Sequence, residues 1–226
     1  MTQAVLIARL AEAGLDPTLF SPADLTQINR ALCALPPVPE APVLTVPTLP
    51  WAELGPLLDE IGGAAQRFLD LLSAPTLLFG AERAKLIDQL RQATTAISDA
   101  IPGWMHRAGA VVRASDTSCA KAAVSLDHGH AALRQLACLH AAALIADDSI
   151  ADEYRAALNA LEACITASED ALDAVNAKLD ALDRLFNTYI PALLDAAIPL
   201  FEQDAAQFSP AECRRAALSL REAVHL

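Results

Sequence analysis

The clearest pattern in the chain lies between residues 149 and 204, where apolar side chains recur every seven positions. One series contains Leu158, Ile165, Leu172, Leu179, Phe186, Leu193 and Leu200. A second series, three residues further on, contains Leu161, Ser168, Val175, Leu182, Tyr189 and Ala196. Repeats of this kind predict a long helix that buries one stripe of side chains against partner helices, as in a coiled coil.

The start and the far end of this long helix carry their own signals. Ser149 and Asp152 have capping-box spacing, so we expect the helix to begin at Ser149. Only the acidic dipeptide 147–148 separates it from the preceding helical pattern, which predicts an antiparallel hairpin that turns there. Pro191 and Pro199 lack amide donors and crowd the preceding turn, so we expect a kink or break near each.

The other helical patterns are divided by proline and glycine, which disfavour a helix interior. We expect Ser73-Ala74-Pro75 and Pro102-Gly103 to end the helices that precede them. The predicted helices cover residues 2–13, 51–72, 81–101 and 104–146, and two more begin after the caps Ser21 and Ser209.

Residues 36–50 differ from the rest because they contain six prolines. Without glycine or serine, such a segment is stiff and extended, close to polyproline II. Apolar residues such as Val43 and Leu44 stand between the prolines, so we expect the segment to lie along the helices. A proline-rich ligand for another domain is the alternative, although no basic residue flanks the prolines.

Composition agrees with a helical chain: 49 of the 226 residues are alanine and only 8 are glycine. The predicted fold is all-α, an elongated antiparallel helical bundle built on a long coiled-coil-like helical hairpin, with short terminal helices. The predicted organisation is a short helical pair over residues 1–35, an extended connector over 36–50 and a long-helix bundle over 51–226.

Charge and cysteine usage restrict the function classes. The net charge of −12 disfavours binding to nucleic acid or to an anionic membrane. The five cysteines are odd in number and far apart, which indicates free thiols in a reducing compartment. No signal peptide or spanning segment is evident, so we expect a cytoplasmic protein, with a signal-independent export route left open.

Three patterns invite a chemical interpretation, and each is weak. Ser118 and Lys121 have Ser-x-x-Lys spacing, but the other motifs of the penicillin-recognising enzymes are missing. His128 and His130 point to different sides of a helix, and only His140 could share a face with His130. A di-iron bundle needs two Glu-x-x-His pairs and more glutamates, whereas this chain has one such spacing near its end. We therefore expect no catalytic residue, cofactor or metal.

The stretch 189–201 is the candidate interaction surface, because it contains one charge in thirteen residues. A helix that is apolar on most sides must be enclosed. We expect it to be enclosed by the first, second and last helices, through Phe20, Leu25, Phe208 and Leu218, or by a partner subunit. The candidate interaction residues are Tyr189, Ile190, Leu193, Leu194, Ile198, Leu200 and Phe201.

Two functional interpretations remain from the sequence. We favour a non-enzymatic structural or protein–protein interaction protein, such as an assembly component, adaptor or chaperone-like protein, with a protein partner or a second copy. The alternative is a membrane-active or lipid-surface protein like a component of a helical pore-forming toxin, based on the weakly charged stretches 133–146 and 189–201. Neither stretch is long enough to span a bilayer, and basic anchoring residues are missing.

Overall fold

The computed structural model describes residues 1–73, 80–201 and 208–225, and within them all regular secondary structure is helical. The all-α prediction is therefore confirmed. The α-helices are α1 (Gln3–Glu12), α2 (Pro22–Ala31), α3 (Trp51–Leu72), α4 (Ala81–Ala146), α5 (Ala151–Arg184), α6 (Ile190–Ala197) and α7 (Pro210–Ala223). Short helices of other types are the 3-10 turns Pro17–Leu19 and Ile198–Leu200 and the π-helix Leu185–Tyr189.

Residue contacts divide the chain into two compact units. Unit 1 contains Met1–Pro47 and Ser118–Asp173, and unit 2 contains Thr48–Thr117 and Ala174–Leu226. The helices α4 and α5 each contribute to both units. Two sequence expectations fall partly outside the described residues: the break at Ala74 and Pro75, and the end of the long helix at residue 204.

The prediction of separate helices over 81–101 and 104–146 is wrong, because α4 continues through Pro102. Pro102 removes the amide that would bond the Ser98 carbonyl, but both residues are exposed, so water can solvate that carbonyl. The heptad spacing of buried side chains is also preserved across the proline, which favours one continuous helix. Buried positions on this side of α4 include Leu90, Thr94, Ile97, Trp104, Ala108, Val111, Ser115 and Ala122.

The turn between α4 and α5 lies where the acidic dipeptide predicted it. Asp147 adopts the left-handed conformation with φ of 53°, which Asp tolerates better than most residues. The sequence pointed to the Ser149 hydroxyl as the helix cap. Instead, the Asp148 carboxylate accepts a hydrogen bond from the Ile150 amide at 3.1 Å, two residues on, and α5 begins at Ala151.

Unit 1 has its core where α1 and α2 pack against the end of α4 and the start of α5. Ser21 and Asp24 form the predicted capping box at the start of α2, with hydrogen bonds of 3.2 and 2.8 Å. The prediction that α1 and α2 enclose the stretch 189–201 is wrong, because their apolar faces are used here. The core includes Leu6, Leu10, Leu25, Ile28, Leu136, Leu139, Tyr154, Leu161 and Ile165.

The extended segment 36–47, here named the strap, is held by both long helices of unit 1. The Thr45 amide donates to the Ser125 hydroxyl of α4 at 2.8 Å, and the Ser168 hydroxyl of α5 donates to the Thr45 carbonyl at 3.3 Å. The Tyr154 hydroxyl donates to the Pro36 carbonyl. These hydrogen bonds satisfy main-chain groups that a proline-rich segment cannot pair with itself.

A glycine of α4 makes room for the strap. A Cβ at Gly129 would lie 3.0 Å from the Leu44 side chain and 3.3 Å from that of Ile165. Glycine is unfavourable inside a helix by roughly 1 kcal/mol, so its position here is explained by close packing rather than by helix propensity.

We predict opposite effects for one substitution at two glycines of α4. Gly129→Leu should lower the free energy of unfolding by about 1–3 kcal/mol, because the added side chain overlaps Leu44. Gly103→Leu should raise it by about 0.5–1 kcal/mol, because that site is open and leucine favours a helix. Urea denaturation measures both values, and equal stabilisation by the two variants would show that the strap does not fill this space.

Candidate functional site: an acidic groove beside a π-helix

The π-helix Leu185–Tyr189 changes which side chains are buried after α5. Up to Leu182 the buried residues follow the predicted seam. A π-turn holds one extra residue, which changes the register of the helix locally. After the π-helix, Ile190 and Ala197 are buried, whereas the predicted seam residues Tyr189 and Ala196 are half-buried. Leu193 and Leu200 of the other predicted series stay buried.

Both prolines near the end of the long helix coincide with a change of helix type. The π-helix ends two residues before Pro191, and Pro199 lies within the 3-10 turn Ile198–Leu200. Proline cannot donate the regular amide hydrogen bond, so each change of helix type relieves the strain at that point.

The structure does not bring the seven predicted interaction residues together on one accessible surface. Ile190, Leu193 and Leu200 are buried within the chain itself. Tyr189 and Leu194 are half-buried. Only Ile198 and Phe201 are exposed, at 51% and 54%.

The core that buries part of this stretch is made by α7 and α3 in unit 2. The helix α7 packs against both α6 and α3. The Cys213 thiol of α7 donates to the Ala196 carbonyl at 3.1 Å, next to the buried Ala217 and Leu220. Burial raises the pKa of Cys213 to about 12, so this thiol stays protonated and serves as a hydrogen-bond donor.

An open groove of about 560 Å³ in unit 2 presents a more accessible surface. It lies between α4 and the segment formed by α5 and the π-helix. Its floor is apolar and is formed by Ala108, Leu179, Leu182 and Phe186. One wall contains Met105, Gly109, Val112 and Asp116, and the opposite wall contains Asn176, Asp180, Asp183 and Asn187.

Both walls of this groove have helical periodicity. The four residues on each wall are separated by steps of four, three and four, so each wall is one face of a helix about 16 Å long. Met105 is an exposed apolar side chain at 55% on the wall of α4. The groove is therefore long and open, with an apolar floor and polar rims.

The rims of the groove are acidic. The carboxylates of Asp116, Asp180 and Asp183 line it, and none of the twelve lining residues is basic. The Asn187 amide donates to Asp183 at 2.7 Å, which links the π-helix to the end of α5. The Arg113 guanidinium comes within 3.3 Å of where a Cβ at Gly109 would be, so this cation lies beside the wall of α4.

The groups weighed for catalysis or metal binding lie elsewhere. His130 contacts Glu169 at 3.2 Å in unit 1, and both side chains are about half exposed. Burial lowers the pKa of His140, whose Nε2 atom is enclosed and has no hydrogen-bond partner among the described residues. In the described ranges no group of three or more His, Cys, Asp or Glu side chains could hold a metal ion. No helix in the described parts of the chain is long and apolar enough to cross a membrane.

Comparisons of the chain with protein-family models, with curated proteins and with solved structures found no match. The fold places the chain in the all-α class. Any function must therefore be argued from the surfaces of this chain alone.

Sequence reasoning missed the groove because its walls flank the buried seam instead of belonging to it. Met105, Gly109 and Val112 each follow a buried or seam residue of α4 by one position. The sequence carries one signal that could have identified them. Met105 is a large apolar residue that lies beside the buried seam of α4, where polar residues are expected. Asp180 and Asp183 looked like ordinary solvated charges.

We predict unequal costs for two truncations near the end of the long helix. Leu193→Ala should lower the free energy of unfolding by about 2–5 kcal/mol, because Leu193 is fully enclosed in unit 2. Ile198→Ala should change it by less than about 0.5 kcal/mol, because Ile198 is half exposed. Thermal and urea unfolding give both values, and similar costs would place the two residues in similar environments.

We predict two reactivity classes among the thiols. Cys33 and Cys164 are exposed and should react with a water-soluble thiol reagent within minutes at pH 8. Cys138 and Cys213 should react only after denaturation, because burial raises the pKa of Cys138 to about 11 and that of Cys213 to about 12. Mass spectrometry of the labelled native chain assigns each site, and rapid native labelling of Cys213 would contradict the packing of α7.

Proposed function

We propose that this chain is a non-enzymatic protein–protein interaction protein that binds a helix of a partner in the groove of unit 2. The observation that carries the proposal is an apolar channel with two helical walls and an exposed methionine. An amphipathic helix laid in a hydrophobic groove is a common mode of peptide recognition. Methionine suits such surfaces because its flexible, polarisable side chain adapts to different partners.

The length of the groove supports a helical partner. Each wall is about 16 Å long, which corresponds to roughly three turns of a docked helix. A helix docked in the groove would pack against both α4 and α5, as neighbouring helices do in a bundle. The low share of charged residues, 19% of the chain, is also consistent with surface that a partner covers.

The α4 wall of the groove is held by interactions with α3. The Glu60 carboxylate of α3 accepts hydrogen bonds from the Trp104 indole at 3.2 Å and from both terminal nitrogens of the Arg107 guanidinium. These hydrogen bonds, chiefly that from Arg107, hold the pKa of Glu60 below its usual value. A wall held in place before binding reduces the entropy that association must overcome.

The five cysteines support a cytoplasmic or other reducing location as part of the proposal. None of them forms a disulfide, and two are exposed to solvent. Exposed thiols persist where glutathione keeps them reduced.

Site-specific photo-crosslinking tests the proposal. A photoreactive amino acid replaces Met105 in the groove, and in a control chain it replaces Val124 of unit 1. The two side chains have nearly equal exposure, 55% and 57%. We expect a discrete protein adduct from position 105 in cells that express the chain, and none from position 124.

Two outcomes would contradict the proposal. Equal adducts from both positions would mean that the groove is not a preferred surface. Lipid adducts at position 105, together with flotation of the purified chain on neutral lipid vesicles, would favour the membrane-active alternative.

A further inference from the structure

We infer that the occupant of the unit 2 groove is a basic amphipathic helix of about three turns on a partner protein. This inference rests on the proposed function and names the chemistry of the partner. The groove selects apolar side chains at its floor and positive charge at its rims, so the partner helix needs lysine or arginine beside an apolar stripe.

The positions of the three carboxylates explain why both sides of the partner helix must be basic. Asp180 and Asp183 are one helical turn apart on one wall, and Asp116 belongs to the other wall. Asp116 and Asp180 lie at nearly equal distances along the chain from the turn that follows α4, so they mark the same end of the groove. The opposite end has Met105 on the wall of α4, and Phe186 and Asn187 on the other side.

Gly109 allows the partner helix to approach the wall of α4 closely. A Cβ there would meet only the end of the Arg113 side chain within 4 Å, and a flexible side chain can move aside. Close backbone approach at a glycine increases van der Waals contact between helices. Displacement of Arg113 from this rim would also leave the carboxylates as the dominant charges.

A second copy of this chain fits the groove less well than a basic partner. The chain has a net charge of −12, so two copies repel each other. The exposed face of α5 is itself acidic, with Glu162, Glu169, Asp170 and Asp173. A basic helix from another protein has the complementary charge.

Fluorescence anisotropy with model peptides tests the inference on the full chain. The probe is a labelled peptide of 14 residues made of leucine and lysine in helical amphipathic order, and its counterpart carries glutamate for lysine. The chain is compared with Asp180→Asn/Asp183→Asn, and the control is Glu162→Gln/Asp170→Asn, which removes equal charge from exposed positions of α5 in unit 1.

We expect the lysine peptide to bind and the glutamate peptide not to bind. The groove variant should bind the lysine peptide about 3–10-fold more weakly, since it removes two solvent-exposed ion pairs, each of which contributes little. The control variant should change affinity by less than about 2-fold, and the difference should shrink in high salt.

Equal weakening in both variants would overturn the inference, because it would show that the peptide senses only the total charge. Equal binding of the two peptides would overturn it as well. Competition with the photo-crosslink at position 105 separates the two proposals. If the adduct forms and excess lysine peptide does not suppress it, a partner occupies the groove but is not a basic helix.

Discussion

The structure depends on the continuous stripe of buried side chains along α4. Within unit 2 the stripe begins at Leu90, passes Pro102 without a change of spacing and continues to Ser115. Because burial of each large apolar side chain contributes about 1.5–3 kcal/mol, a register kept over this length outweighs the hydrogen bond lost at one proline. The one fully buried hydroxyl on the stripe in unit 2, that of Ser115, has no hydrogen-bond partner in the described residues, which marks a polar interruption of the apolar core.

The two units leave different surfaces of the long helices open. In unit 1 the strap lies against both long helices, with Leu44 fitted at Gly129 and Thr45 held by two serine hydroxyls. In unit 2 the π-helix shifts the buried register so that Ile190 packs inward, and Phe186 and Asn187 face the groove. π-turns inside helices are frequently found at functional sites.

Much of the fold follows from local patterns in the sequence, and the errors have physical causes. The seam of α5 could be predicted because heptad spacing is a local property, as could the turn at Asp147 and the cap at Ser21. The division of α4 was wrong because Pro102 and Gly103 were judged by their local cost alone, whereas Ile97 and Trp104 keep the seam on both sides. The predicted packing of α1 and α2 was also wrong, because the path of the chain through the strap determines which core these helices reach.

The candidate site was less predictable than the fold. Burial of Ile190, Leu193 and Leu200 is consistent with the expectation that an apolar stretch must be enclosed, but their supposed role in binding assumed that no other helix covers them. The groove consists of flank positions, and periodicity does not tell which flank a neighbouring helix leaves uncovered. That Met105 and Asp180 line the same groove can therefore be seen only in the structure, where α4 and α5 lie side by side.

The continuity of α4 through Pro102 is the central claim, because the groove wall begins at Met105, three residues after this proline. A distance measurement by pulsed electron paramagnetic resonance between spin labels at Gln92 and Ala110, both exposed, tests it most directly. The two positions lie on one face of a continuous helix, so we predict a single narrow distribution near about 27 Å. A broad distribution, or one centred at a clearly shorter distance, would show a break at Pro102 and would contradict the account.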